Sequence, residues 1–413
     1  MRKSMSVVAV LESNLAGNGA KVIKAAKNKG YKTLFVCGNK DEYRSAVMNP
    51  ADFADEVAVV DSYDIAKLLA FFSSYPEKIE VVMAFDDFRM IQSGIINEYL
   101  GIKDAPSVDS LLTVRFKHLL RERLRDTEYS VTFRLLDNQD LAHDVSLDYP
   151  CVIKPVDESG SVGVKICYSK PESDDAIQYI MSLPKYNGRG FTVSKKILVE
   201  EYIEGDEFSA ELAWDAPGQR WTLLGITKKF VTPAPFCVER AHIFPYADNS
   251  DFSEQTEFHA NTVLNKIGLK STFVHMEFKF TNGRFSIIEI NPRLGGDMIT
   301  DLMSSARGFN AAELMLEANL NLPLSSVSNA RSDNSSAIVY ITDDHKGNIT
   351  GINVDNSNHL AQVNIYPLPR NLNGLRSSED RLGYMILTDG NYSLIESRVR
   401  SYLSGNGVTI NKE

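Results

Sequence analysis

Two carboxylates that flank a predicted hairpin are the clearest chemical signal in the sequence. Residues 274–297 read VHMEFKFTNGRFSIIEINPRLGGD. Asn-Gly between two β-rich runs is a strong hairpin signal, and counting outward from it brings Glu277 and Glu289 close to cross-strand register. Asn291 has the same parity as Glu289, so both point to one face of their strand. Two carboxylates and an amide oxygen suit Mg²⁺, which binds few protein ligands besides phosphates.

The surroundings of Glu289 favour this metal site over an exposed hairpin face with alternating charge. Ile287, Ile288 and Ile290 predict burial, and a buried carboxylate is costly without a partner. Arg293 follows with the same parity, before the glycine-rich residues 294–297. Its guanidinium suits bidentate binding of a carboxylate or a phosphate.

A second block, residues 152–164, reads VIKPVDESGSVGV. Lys154 ends a short β-run and precedes a loop of small residues. Such residues let the backbone approach a polyanion, and successive N–H groups form an anion-binding nest. The block lacks GxxxxGK[ST], so it is not a Walker P-loop. A plain hairpin turn with an incidental lysine is the alternative.

A third block, residues 197–211, reads ILVEEYIEGDEFSAE. A β-run ends in Glu200 and Glu201, and a second strand begins near Glu207. Where the chain passes from the first strand to the second, its backbone N–H and C=O groups suit the edge of a purine. The nearby carboxylates suit the ribose hydroxyls or the amino group of the purine. An acidic, solvated hairpin is the alternative.

The N-terminal residues predict a parallel sheet covered by helices on both faces. Strands are predicted at 6–11, 33–37, 56–60 and 81–85, and helices at 18–29, 65–72 and 91–100. Residues 14–19 lack GxGxxG, so no dinucleotide cofactor is expected there. Residues 104–109, with Pro106, read as a boundary.

The later residues are predicted mainly as strands. A helix is expected at 110–124, short strands at 149–204, a strand-rich block at 207–291 and a helix at 302–320. Residues 322–335 are polar and turn-rich and read as a linker. Short strands then alternate with turns from about residue 337, and the chain is expected to end with a helix at 393–403.

Composition excludes several classes of protein. The 413 residues carry a net charge of −10, which argues against a general nucleic-acid binder. No apolar run approaches about 18 residues, so no membrane span is expected. The four cysteines are far apart and form no Cys-x-x-Cys pair. They indicate structural thiols in a reducing compartment, so a cytoplasmic location is expected.

The three blocks, in this order, resemble the ATP-grasp superfamily. The HMEFKF, NPRLGGD and CVERAHIFPY segments (the last at 237–246) are most similar to carboxylate–amine ligases that include L-amino-acid (dipeptide) ligases of the bacilysin and dapdiamide synthetase type. The resemblance implies an α/β protein with the ATP-grasp fold. Its parts would be an N-terminal Rossmann-like domain at 1–108, an ATP-binding core at 109–325 and a small C-terminal domain at 326–413. A small mobile lobe at about 145–204 would lie within the core.

The resemblance also implies roles for residues at matching positions. Lys154 and Arg293 would be catalytic. ATP would be bound by Lys117, Lys154, Ser159, Gly160, Ser161, Val162, Glu200, Glu201, Tyr202, Ile203 and Glu207. Mg²⁺, or Mn²⁺, would be bound by Glu277, Glu289 and Asn291. Substrates would be bound by Glu239, His242, Arg293, Gly295 and Gly296. For Glu239 and His242 an ordinary polar loop is the alternative, and His275 receives no role.

The implied activity is ATP-dependent amide or peptide bond formation, in peptide natural-product or antibiotic biosynthesis. A small-molecule carboxylate would form an acyl phosphate, which an amine would attack with release of ADP and phosphate. No nucleic-acid or membrane partner is expected, and a homodimer is common among relatives. Carboxylation like that of biotin carboxylase, and a degenerate regulatory nucleotide-binding protein, are the alternatives; the intact set of charged residues argues against the second.

Overall fold

The computed structural model describes residues 6–137, 147–246, 250–324, 334–355 and 357–413. Its N-terminal part is a parallel sheet in the order β3-β2-β1-β4. The strands are β1 (Val7–Leu11), β2 (Lys32–Cys37), β3 (Glu56–Val59) and β4 (Ile79–Ala84), and the helices are α1 (Asn18–Asn28), α2 (Ile65–Ser74) and α3 (Met90–Tyr99). Every residue of β1 is buried, because helices cover both faces of the sheet. The predicted alternation is confirmed.

The helix predicted at 110–124 is instead two helices, α4 (Val108–Arg115) and α5 (Lys117–Leu124). Phe116 between them is extended, with φ −102° and ψ 108°. The backbone N–H of Lys117 donates to the carbonyl of Val156 at 3.1 Å instead of continuing the first helix. The break therefore attaches the start of α5 to the strand region that carries Lys154.

A small antiparallel sheet follows in the order β5-β8-β6-β7. It consists of β5 (Phe133–Leu136), β6 (Cys151–Pro155), β7 (Lys165–Cys167) and β8 (Ile197–Glu201). A helix that the sequence analysis missed, α6 (Lys170–Ser182), packs Ile177 and Ile180 onto this sheet. The small sheet includes β5, which precedes the lobe proposed at 145–204; residues 145 and 146 lie outside the described residues.

The strands after residue 205 form a large central sheet and a second, three-stranded sheet. They are β9 (Asp206–Asp215), β10 (Arg220–Val231), β11 (Glu239–Phe244), β12 (Phe273–Thr281), β13 (Arg284–Asn291), β14 (Ser335–Ile341), β15 (Lys346–Val354), β16 (Leu360–Ile365), β17 (Arg370–Asn373), β18 (Gly383–Gly390) and β19 (Val408–Lys412). Eight of them form one sheet in the order β13-β12-β9-β10-β11-β14-β18-β16, and β17-β15-β19 form a three-stranded sheet. The large sheet therefore runs across the boundary proposed at 325/326.

Several helix and strand predictions for this part were wrong. The strand-rich block also contains α7 (Ser250–Ile267), and the helix predicted at 302–320 is α8 (Ile299–Arg307) and α9 (Ala311–Asn319). These two are separated at Gly308, whose φ of +69° is left-handed and ends the first helix. The chain continues beyond α10 (Tyr392–Leu403) into β19.

Residues 325–333 of the predicted linker lie outside the described residues, and Ser335 already belongs to β14. Among the described helices, none combines the length and the hydrophobicity that crossing a bilayer requires.

Candidate active site

The β12–β13 hairpin brings the predicted carboxylate pair together. Glu277 is the cross-strand partner of Glu289, and His275 is the partner of Asn291. Burial alone would raise the pKa of Glu277, but Lys229 and His275 outweigh it and lower the pKa to about 2. Glu277 is therefore an anion at neutral pH, and the donor set of two carboxylates and an amide fits a hard divalent cation.

A cationic cluster lies next to this pair. Lys117 Nζ is 3.2 Å from Glu289 Oε1 and donates to the Glu158 carbonyl at 2.7 Å. Lys154 Nζ and Arg121 Nε each lie 2.5 Å from an oxygen of Glu200. Burial and Arg121 lower the pKa of Lys154 despite Glu200. Burial raises the pKa of Glu200, but the two cations outweigh it and bring it to about 2. One carboxylate thus faces two cations, an arrangement suited to a polyanion.

The loop between β6 and β7 contains three residues in the left-handed region of backbone conformation. Gly160, Ser161 and Gly163 have φ of 66°, 60° and 76°. A Cβ on Gly160 would meet open space, whereas a Cβ on Gly163 would lie 3.1 Å from Pro155 Cδ. Gly163 is therefore needed for close packing, and Gly160 for its left-handed conformation alone. Ser161 adopts the same conformation although it has a side chain.

A cavity of about 960 Å³, including its open mouth, connects these features. All residues predicted to bind ATP line it, together with Glu277, Glu289 and Glu239. The predicted site residues that do not line it are Asn291, Arg293, His242, Gly295 and Gly296. The structure therefore brings the predicted nucleotide residues and two of the three predicted metal ligands, Glu277 and Glu289, to one cavity, and of the predicted substrate residues only Glu239 lines it.

A buried lysine that the sequence analysis missed joins the metal pair to the substrate residues. Lys229 Nζ lies 2.7 Å from Glu239 Oε1, 2.9 Å from Glu277 Oε1 and 3.9 Å from Glu207 Oε1. Burial would lower its pKa, but these carboxylates raise it well above the ordinary value. Burial raises the pKa of Glu207 to about 7, although Lys229 opposes the shift.

His275 lies between two carboxylates of the same sheet. Its Nδ1 is 2.9 Å from Glu211 Oε1 and its Nε2 is 3.1 Å from Glu277 Oε1. Burial alone would lower the pKa of His275, but Glu211 and Glu277 outweigh it and raise the pKa to about 9. The alternation of His275 and Glu277 along β12 was an available signal for this contact.

The predicted substrate residues form two groups. His242 Nε2 lies 3.3 Å from Asp297 Oδ2 and 3.8 Å from Glu239 Oε2. Arg293 instead binds Asp87, which follows β4, through contacts of 2.5 and 2.8 Å. The acidic pair Asp86-Asp87 directly after a buried parallel strand was an available signal for this contact.

Gly295 and Gly296, which follow Arg293 in the sequence, have different surroundings. A Cβ on Gly295 would lie 3.1 Å from His275 Nδ1, so this position admits only glycine without a shift of the histidine. A Cβ on Gly296 would meet open space. Gly295 therefore packs against the buried histidine, while Gly296 borders free volume.

Comparisons with known proteins give a consistent result. Residues 147–301 match the family described as "ATP-grasp domain". The chain is 27% identical over 229 residues to D-alanine–D-alanine ligase of Wolbachia pipientis wMel, covering 53% of this chain and 69% of that protein. It is 22% identical over 252 residues to dapdiamide A synthase of Enterobacter agglomerans, covering 60% of this chain and 58% of that protein.

Among solved structures, L-amino acid ligase from Bacillus licheniformis superposes with a TM-score of 0.77 at 17% identity, over the full length of both chains. The predicted mixed α/β class with the ATP-grasp fold is confirmed. The predicted enzyme class, ATP-grasp ligases that form carbon–nitrogen bonds, is confirmed at that level.

Proposed function

We infer that this chain, an ATP-grasp ligase by its domain match and fold, joins the carboxylate of one amino acid to the amine of another through an acyl phosphate. One observation carries the proposal: a single cavity is lined by the cations Lys117 and Lys154, the pair Glu277 and Glu289, and Glu239. The residues that we assign to the nucleotide, the metal and the amino acid therefore line one continuous cavity. The similarity to dapdiamide A synthase and L-amino acid ligase supports amino acids as substrates.

We assign a different part of the nucleotide and metal site to each group of residues. Lys117, Lys154 and the loop at 159–163 would bind the ATP phosphates, and the end of β8 with the two residues after it, from Glu200 to Ile203, would hold adenine. Glu277, Glu289 and Asn291 fit Mg²⁺, which supplies neutralisation of phosphate charge when bound. Glu207 would bind ribose. The proposed division into domains at 1–108, 109–325 and 326–413 assigns these tasks to the middle part.

The substrate side needs an anion-binding group and a way to exclude water. Arg293 would bind the carboxylate that becomes the acyl phosphate, and the fork contact with Asp87 fixes its guanidinium. Glu239 would attract the ammonium of an amino acid. Closure of the loop at 159–163 would keep water from the acyl phosphate, because water would hydrolyse it.

The test is phosphate release from ATP with pairs of L-amino acids, including dicarboxylic and diamino acids, with product identified by mass. We expect release that depends on both substrates, and Glu289→Gln should lower it by about 100-fold or more because it removes one anionic ligand. Glu254→Gln, an exposed position on α7, is the matched control and should retain activity. Stimulation by bicarbonate without an amine would instead favour carboxylation, and undiminished turnover in Glu289→Gln would refute the metal assignment.

A further inference from the structure

Arg381 brings the C-terminal part of the chain into the substrate site. It precedes β18 and lies outside residues 147–301, which match the ATP-grasp domain. Its side chain is 4% exposed, although arginine is rarely buried without partners. Its guanidinium lies over the Tyr340 ring, 3.6 Å from the centroid. A buried, stacked arginine of this kind has a fixed position.

Every nitrogen of this guanidinium already donates to a protein oxygen. Nη1 lies 3.0 and 2.9 Å from the two carboxylate oxygens of Asp297. Nη2 donates to the Glu239 carbonyl at 3.0 Å and to Glu239 Oε2 at 3.2 Å. Nε donates to the same carbonyl at 3.2 Å. Because all three guanidinium nitrogens are engaged by these two residues, Arg381 acts through Glu239 and Asp297.

These two carboxylates need a cation between them. Ligand atoms of Glu239, His242 and Asp297 lie within 4.8 Å of one another, so two like charges are held close. Lys229 holds Glu239 Oε1 from one side, and Arg381 holds Oε2 from the other. The side chains of Glu239 and Asp297 keep 19% and 31% of their surface exposed. Cations of the protein therefore fix both carboxylates, while part of each carboxylate side chain stays exposed.

We propose that Arg381 is a positioning residue for amino-acid binding, which it supports by fixing Glu239 and Asp297. The inference rests on the proposed function, and it assigns to the C-terminal segment a part in substrate recognition. Lys154 and Glu200, which we assign to the nucleotide, belong to the small sheet β5-β8-β6-β7 and do not contact Arg381. The loss of Arg381 therefore raises the KM for the amino acid and leaves the KM for ATP nearly unchanged.

The experiment measures phosphate release with the amino acid that gives the fastest turnover in the unaltered protein. Arg381→Gln should raise the KM for that amino acid by about 10- to 100-fold, since it removes the cation shared by Glu239 and Asp297, and the KM for ATP should stay within about threefold. Arg381→Lys keeps the charge but not the fork, so an intermediate KM is expected. Arg400→Gln, an exposed arginine of α10, is the control and should behave as the unaltered protein.

Asp297→Asn distinguishes positioning from a merely structural effect. If Arg381 acts through Asp297, the double variant with Arg381→Gln should be no worse than the more impaired single variant. Equal increases in both KM values, or an amino-acid KM unchanged in the Gln and Lys variants, would overturn the inference. If Arg381→Gln does not fold, the Arg381→Lys variant decides the matter by itself, and an unchanged KM for the amino acid in that variant would overturn the inference. Absence of amino-acid-dependent release from the unaltered protein would instead refute the proposed function.

Discussion

Glu200 holds two cations at the wall of the cavity. Arg121 reaches it from α5 and Lys154 from β6, so three elements meet at one side chain. Lys117 and Arg121 are four residues apart on α5 and therefore share a face. The ion pairs orient the cations that we assign to phosphate binding, and they make Glu200 a structural residue as well.

We expect these ion pairs to be lost in acid. The folded-state pKa of Glu200 is about 2, below the ordinary 4.5, so the unfolded chain takes up the proton first. The stabilisation is fully present above about pH 4.5 and falls towards pH 2, by about 3 kcal/mol in total. Urea unfolding between pH 7 and 3.5 should show the stability difference between the unaltered protein and Glu200→Gln shrinking below pH 4.5.

Glu122→Gln is the matched control for this experiment. Glu122 lies on the same helix as Arg121, and its ion pair with Arg125 is on the surface, where such pairs contribute little. Its stability difference should be small at every pH. If the difference in unfolding free energy between the unaltered protein and Glu200→Gln stays constant down to pH 3.5, these ion pairs do not make the fold acid-sensitive.

Site residues were predictable where their contacts are local in sequence. Glu277 and Glu289 are paired by one short hairpin, so counting residues was sufficient. Arg121 and Glu200 are 79 residues apart, Arg381 and Asp297 are 84 apart, and Asp87 and Arg293 are 206 apart. No periodicity within one segment can pair such residues, because tertiary packing alone brings them together.

Elements were predicted where one hydrophobic period dominated. The parallel strands read as continuous apolar runs and were found. The α7 helix was missed although its buried residues Phe252, Ala260, Val263, Leu264 and Ile267 follow a helical spacing. Strand-rich neighbours on both sides concealed this signal. The breaks at Phe116 and Gly308 were missed because the apolar pattern continues across them.

The segment between α6 and β8 ties the small sheet to the N-terminal sheet. The carbonyl of Arg189 accepts from Tyr63 Oη at 2.7 Å and from Arg89 Nη2 at 3.3 Å. Phe191 packs on Phe88 with ring centroids 5.1 Å apart. The loop at 159–163 connects two strands of the same small sheet, so these contacts, here called the clasp, also link that loop's sheet to the N-terminal part.

Phe191→Ala should loosen the clasp. Its aromatic ring provides the apolar contact, so hydrogen exchange of the amides at 186–193 should become at least about tenfold faster. Mass spectrometry of that peptide measures the change. Tyr186→Ala is the control because Tyr186 is 55% exposed in the same segment, and it should leave exchange nearly unchanged. Equal protection in Phe191→Ala and the unaltered protein would mean that the hydrogen bonds alone hold the clasp.

At the scale of the whole molecule, the eight-stranded sheet makes the C-terminal residues part of the same folding unit as the active site. β11 carries Glu239 and pairs with β14, with Ala241 opposite Val339. Both are buried in one core cluster with Ile395 and Val399 of α10. Loss of packing under α10 therefore weakens the sheet that carries the site.

This continuity predicts a long-range effect on stability. Ile395 is fully buried, and Ile395→Ala should cost about 2–5 kcal/mol through the cavity that it leaves. The two tryptophans, Trp214 and Trp221, lie on β9 and β10, so their fluorescence reports unfolding of the central sheet. Its urea midpoint should fall in Ile395→Ala, whereas Leu394→Ala, 45% exposed on the same helix, should leave it nearly unchanged. An unshifted tryptophan midpoint in Ile395→Ala, with loss of helix signal at lower urea, would mean that the C-terminal residues unfold separately.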